Sequence, residues 1–297
     1  MNYYNEIKDK LIKNEIIQKV KDYSKNKSDL NTYYEVGKLL VNAGKHYGEG
    51  IIKQYSIKLT NELGKKYSTT SLKYMRQFYN YQKSQPLVDQ LNYKLTWSHY
   101  QELLPLKDIN KINYYIDICI QYNLSKRQLR EKIKSKEYER LPSTTRNKLI
   151  KKEETNVVDC VKNPIIIKNK YNTTEISEYM LKELILEDIS SFMEELGNGF
   201  CFIKSEYKIK IGDRYNYIDL LLFNYIYNCF IVVELKVTEL KKENIGQIQV
   251  YMNYIDKNIK TIEQNKTIGI IICKKDNKYV IEYCTDARII SREYKLV

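Results

Sequence analysis

The first half of the chain carries its apolar residues at helical spacing. Tyr34, Leu39 and Leu40 open one face after the polar Asp29 and Asn31. Ile52, Tyr55, Leu59 and Leu63 recur over residues 51–63, and Gly64 supplies a stop. Ser68 stands as an N-cap before a helix with Leu72, Met75, Phe78 and Tyr79 on its apolar side. Helix, short turn, helix is the outline of a helix-turn-helix. A second outline follows. Thr96 precedes Trp97-Ser98-His99-Tyr100, Pro105 follows that short segment, and a helix is expected over 109–121. Ser125 then caps a helix that turns Leu129 and Ile133 inward. The pattern breaks around 141–163, where Pro142-Ser143-Thr144-Thr145 and Lys151–Asn156 have no apolar period, and Asn163-Pro164 closes the stretch. This predicts a helical domain over 1–145, a linker over 146–164 and a second domain over 165–297.

The second domain changes period. One helix is expected from about Glu175 to Leu196, ended by Gly197-Asn198-Gly199. Short strands follow at Phe200–Ile203, Tyr207–Ile211, Tyr217–Phe223 and Cys229–Lys236, with Gly212-Asp213 as a turn. The last two are largely apolar, as strands buried on both faces are. A helix over 241–256 carries Ile245, Ile248, Met252 and Ile255 on one stripe. Strands are expected again at Thr267–Cys273 and Tyr279–Tyr283. The fold class is α/β: a mixed sheet flanked by helices, behind a mainly helical N-terminal domain.

Charge sharpens this division. Residues 1–150 hold 28 Lys and Arg against 15 Asp and Glu, and residues 151–297 hold 22 against 22, so the first half carries the whole net charge of +13. That asymmetry points to a polyanion partner for the N-terminal half, against the plainer reading of a lysine-rich proteome. Lys126, Arg127 and Arg130, at a helix N-terminus, are candidate phosphate contacts, with Lys73 and Arg76 on the earlier helix. Each also reads as a solvated helix face or a salt bridge. Much of the high tyrosine count of 29 fits an AT-rich genome. No apolar run reaches membrane-helix length, and the N-terminus has no secretory pattern. The six cysteines show no CxxC spacing, so reduced thiols in a cytoplasmic protein are expected rather than zinc or disulfides. His46 and His99 stand far from the other motifs, and His99 reads as packing.

Two charged features interrupt the apolar strands: Asp219, and Glu234-Leu235-Lys236. Charge in a buried strand is expensive unless paired or metal-bound. Alternate strand residues share a face, so Glu234 and Lys236 point the same way, and a meander brings Asp219 beside them. Two carboxylates and the Leu235 carbonyl form a hard-oxygen set suited to Mg²⁺, with Mn²⁺ as a substitute. An ammonium alongside can orient a water and stabilise charge on a phosphodiester. The plainer reading is a structural ion pair at a sheet edge.

This arrangement resembles the PD-(D/E)XK nuclease superfamily. The segments Gly199–Ile203, Tyr217–Leu221, Val233–Lys236, Ile245–Tyr254 and Ile268–Lys274 are similar to YhcG-type nucleases, as are Tyr33–Lys38, Leu72–Tyr79 and Leu95–Tyr100. The resemblance spans about 30–297. It implies a restriction-endonuclease-like core, a winged-helix-like N-terminal domain and a metal-dependent DNA endonuclease in bacterial DNA processing, recombination or defence. Asp219, Glu234 and Lys236 match the catalytic motif. Gln247 and Tyr251 match a Gln-x3-Tyr motif on the following helix; ordinary helix packing is the rival reading. For the carboxylate that the superfamily often has on its first helix, Glu187 is the choice and Glu183 the rival. Lys182 occupies the position where many YhcG-like chains carry Glu. Two other functions stay open: a non-catalytic DNA-binding or scaffold protein of a restriction or mobile-element system, and cleavage of RNA. Homo-oligomers or restriction–modification subunits are the candidate partners.

Overall fold

The computed structural model describes residues 3–19, 24–48, 50–84, 93–171, 176–283 and 286–297. The chain forms two compact units, Met1–Tyr138 and Glu139–Val297.

In the first unit, α1 (Tyr3–Lys19), α2 (Ser24–Tyr47), α3 (Ile51–Leu63) and α4 (Thr69–Lys83) precede α5 (Trp97–Leu103), α6 (Ile109–Tyr122) and α7 (Lys126–Lys134). Leu40, Leu59 and Leu72 are fully buried in their shared core with Ile7 and Leu11 of α1; full burial of one such side chain contributes roughly 1.5–3 kcal/mol. Helix α2 lies so close to α4 that a Cβ on Gly37 would stand 2.2 Å from the Met75 carbonyl oxygen. The caps read from the sequence are present: Ser68 accepts from the Ser71 N–H, and Ser125 forms a capping box with Gln128. His99 also caps, accepting the Thr96 N–H at 3.2 Å. His46 stacks on Tyr3. The described residues of this unit contain no strand, so the helical expectation holds there without a β-wing.

The stretch expected as a linker is folded. After α8 (Glu137–Arg140) come α9 (Ser143–Lys151) and α10 (Val157–Cys160). Val157 and Val161 enter the second unit's core, and buried Asp159 binds Lys148 at 2.8 Å. The segment looked irregular because its few apolar residues dock on a neighbour rather than form a stripe of their own.

The sheet order is β1-β6-β5-β4-β3-β2, with β1 Ile165–Ile167, β2 Phe200–Ile211, β3 Arg214–Asn224, β4 Cys229–Glu239, β5 Asn265–Lys275 and β6 Ile289–Leu296. Strands β2, β3 and β4 form an antiparallel meander, and β5, β6 and β1 run parallel to β4. One face is covered by α11 (Glu178–Glu187) and α12 (Ile189–Leu196), which bury Leu184 and Phe192 against Leu222, Val233 and Ile272. The other is covered by the crossover helix α13 (Lys242–Asn258), whose Ile248 and Met252 pack on Val232 and Ile271. A Cβ on Gly269 of β5 would meet Met252 Sδ at 2.6 Å, so a bare backbone seats this helix.

Two expected elements are corrected. The helix foreseen over 175–196 is split at Asp188, whose φ of −130° and ψ of 53° leave helical geometry while its side chain caps α12 through the Ser191 N–H. Residues 172–175, where it was to begin, lie outside the described residues. The strand foreseen over Tyr279–Tyr283 is instead a short helix, α14 (Lys278–Glu282), capped by Asn277 with Tyr279 and Tyr283 exposed. The closing strand is β6. The five described cysteines are free; Cys284 lies outside the described residues.

Candidate active site

Strands β3 and β4 pair from Asn224↔Cys229 up to Leu220↔Val233, and there the ladder ends. At the next position Asp219 Oδ2 accepts the backbone N–H of Leu235 at 2.9 Å. A carboxylate thus takes the place of a ladder partner where the strands part. Glu234 and Lys236 flank Leu235 on one face of β4, and β5 holds them in register opposite Ile271 and Cys273. The Lys236 Nζ lies 3.6 Å from Glu234 Oε2, and its side chain is 14% exposed.

Glu234 is 2% exposed, and its Oε1 is buried with no hydrogen-bond partner. Burial first, and the neighbouring Asp219 charge second, push its carboxyl up to about 8, with Lys236 opposing. A buried, under-satisfied carboxylate beside a second carboxylate is costly without a cation. Its orphaned oxygen therefore fits a metal ligand. Among the described residues no group of three or more His, Cys, Asp and Glu side chains forms a metal cluster. Asp219 and Glu234 would supply two hard oxygens, leaving other positions to the Leu235 carbonyl, water or a phosphate oxygen.

Glu187, the last residue of α11, accepts from the Tyr171 hydroxyl at 2.9 Å and pairs with Lys170 at 3.2 Å. Those contacts lower its pKa, Tyr171 first and Lys170 next. Glu183, its rival, adds its charge to the surroundings of the same Tyr171. The α11 carboxylate that reaches the motif is Glu178, in the first turn, with Oε2 at 3.6 Å from Lys236 Nζ. The signal for it was available: Glu178 follows the capping Ser177 and lies one helical turn before Lys182. Lys182 is itself buried and ion-paired with Glu206 of β2. Glu206 sits between Ser205↔Leu220 and Tyr207↔Ile218, across from Asp219, with φ at 50°.

Gln247 donates to the Tyr251 hydroxyl at 3.1 Å, so the two do share a helix face. Tyr251 is buried within the α13-side core. In the N-terminal unit, Arg130 makes a two-pronged contact to Glu102 at 2.7 and 3.1 Å, and Lys126 lies 3.5 Å from the same carboxylate. Arg127 pairs with Glu131 at 3.3 Å. Arg76 is half-buried and already engaged, while Lys73 is exposed. The Asp219/Glu234/Lys236 constellation is thus brought together, while Lys126 and Arg130 share one carboxylate and Arg127 has another within their own unit.

Residues 158–296 match the family model of the YhcG PDDEXK nuclease domain, and residues 9–140 match the DUF1016 N-terminal domain. Residues 158–296 are thus a YhcG-type PDDEXK nuclease domain by the family model they match. It is 24% identical over 309 aligned residues to YhcG of Escherichia coli (strain K12), whose name gives a nuclease role provisionally; the alignment covers 89% of this chain and 82% of that protein. Among solved structures, a repair endonuclease from Pyrococcus abyssi matches at 19% identity and a TM-score of 0.29, over 42% of this chain and 49% of the other. EndoMS in complex with double-stranded DNA matches at the same identity and TM-score, over 43% and 48%. The chain spans about half the length of these two structures.

Proposed function

We propose that this YhcG-like chain is a Mg²⁺-dependent endonuclease that hydrolyses phosphodiester bonds in DNA, with Mn²⁺ able to substitute, in bacterial DNA processing, recombination or defence. The observation that carries the reading is the buried, unpartnered Oε1 of Glu234 beside Asp219 and Lys236. Asp219 and Glu234 would hold a divalent cation, which would supply charge to acidify a water and to offset negative charge on the phosphodiester. Lys236, held between Glu234 and Glu178, presents its ammonium to the attacking water or a phosphoryl oxygen. The Asp219–Leu235 hydrogen bond keeps the two carboxylate-bearing strands in step. The net charge of +13 favours a polyanionic substrate. A cytoplasmic setting is part of the same reading and draws on the free cysteines. Among the described residues no helix is long and apolar enough to cross a membrane.

The test is cleavage of supercoiled, linear and branched DNA by wild type and by a Glu234→Ala/Lys236→Ala variant, in Mg²⁺, Mn²⁺ or EDTA. Metal-dependent nicking of closed circles by wild type alone is expected. Equal DNA binding by both proteins, with no cleavage in any metal, would replace this reading with a non-catalytic DNA-binding or scaffold role.

A further inference from the structure

Beyond the point where β4 departs, β2 and β3 continue together from Tyr207↔Ile218 to Ile211↔Arg214. This leaves a two-stranded ribbon that runs straight out of Asp219. One side of it, Ile209 and Ile218, is buried in the α13-side core. The other side is solvent-facing and has a regular composition: Lys208 stands opposite Tyr217, and Lys210 opposite Tyr215. Tyr215 is 56% exposed and Tyr217 is 49% exposed. The Lys208 Nζ lies 3.8 Å from the centroid of the Tyr215 ring, so the rows interleave. Arg214 stands exposed at the tip.

Charge decides what such a surface meets. Among the described residues, Lys208, Lys210 and Arg214 take part in no ion pair. That contrasts with Lys126 and Arg130, which share the carboxylate of Glu102. An uncompensated cationic row alternating with exposed rings matches a nucleic-acid backbone, where cations meet phosphates and rings pack on sugars or bases. A two-stranded ribbon also has the width the major groove of a duplex admits.

We infer that the outer face of the β2–β3 ribbon, together with its tip, is a duplex-DNA contact surface beside the scissile bond, in which Lys208 and Lys210 on that face and Arg214 at the tip, in register with Ile211 of the other face, meet phosphates and Tyr215 and Tyr217 pack against the strand. The inference rests on the DNA-nuclease reading and adds where that substrate is held. The five side chains are exposed, so substituting them leaves the fold intact, and a melting curve checks this.

The experiment uses the full chain and a labelled duplex. Binding is measured by fluorescence anisotropy in EDTA over a range of salt, and cleavage of the same duplex is followed in Mg²⁺. Lys208→Ala/Lys210→Ala is expected to weaken binding at least tenfold and to flatten the dependence of log K on log salt by about two. In cleavage it raises KM and leaves kcat nearly unchanged. Tyr215→Ala/Tyr217→Ala weakens binding with an unaltered salt slope. Lys208→Arg/Lys210→Arg restores both affinity and slope. If wild type binds and cuts while the alanine pairs match it in affinity, slope and KM, the ribbon assignment is overturned and the nuclease reading survives. If wild type neither binds nor cuts DNA, the nuclease reading fails and the ribbon assignment falls with it.

Discussion

Glu178 Oε2 and Glu234 Oε2 each lie 3.6 Å from the Nζ of Lys236, so the amine is held between the first turn of a helix and its own strand. Glu234 is almost wholly buried, and the Glu178 side chain is 47% exposed. Glu178 therefore acts on Lys236 from the solvent side and is a positioning residue in the reading above.

Glu178→Gln removes that hold without emptying the space. The expected result is a fall in kcat of about tenfold with KM little changed, since an orienting contact matters most at the transition state. Glu178→Asp should recover part of the loss. Glu187→Gln, which loses only contacts to Tyr171 and Lys170 at the surface, should stay within about twofold of wild type. Steady-state kinetics on one duplex compares all three; a larger loss in the Glu187 variant would return that residue to the site.

The Glu234 carboxyl is raised from 4.5 to about 8, by burial first and Asp219 second. In between, the folded protein holds a proton that the unfolded chain has released. Its contribution to stability is full below the unfolded value and is lost as pH rises through about 8. A metal ligand must be deprotonated, so a divalent cation competes with that proton. Metal-free protein should lose melting temperature as pH rises from 5 to 8, and the gain on adding Mg²⁺ should grow over the same window. Glu234→Gln should flatten both trends. Thermal melts at several pH values, with Mg²⁺ or EDTA, read them out, and an unchanged slope in the variant would contradict the assignment.

Asp219 has a structural as well as a chemical part. Asp219→Asn keeps an oxygen to accept the Leu235 N–H, and should stay within about 1 kcal/mol of wild type in denaturant unfolding. Asp219→Ala leaves that amide unmet and should lose roughly 1–3 kcal/mol. Both should lose cleavage by more than about 100-fold, the scale for removing a group that acts on charge in the transition state. An active Asn variant would remove Asp219 from the metal site.

The candidate site was legible because it breaks a rule. Asp219 and Glu234 stand out as charges inside Tyr217–Phe223 and Cys229–Lys236, and two-residue alternation ties Glu234 to Lys236. Helix caps at Ser68 and Ser125 were readable for a similar reason, being local chemistry. What was not legible depends on tertiary contacts. Glu178, Glu183 and Glu187 all fit one apolar-striped helix, and only the docking of α11 on β4 brings Glu178 to the amine. The break at Asp188 hides inside continuous helical periodicity. Tyr279-Val280-Ile281 has strand-forming residues, yet the Asn277 cap turns it into a helix. The ribbon was missed because net charge summed over residues 151–297 is zero and conceals a local cationic row.

The fork at Leu220↔Val233 also sets the bite of the site. Continued by one step, that register puts Asp219 across from Glu234, on strands whose natural separation is about 4.7–4.9 Å. The gap between the two acids is then that spacing widened by the parting of the strands, with the Asp219–Leu235 bond as its gauge. Which ions the proposed site would accept is in that sense a property of the backbone, so changes in the surrounding side chains should alter how tightly an ion is held more readily than its size.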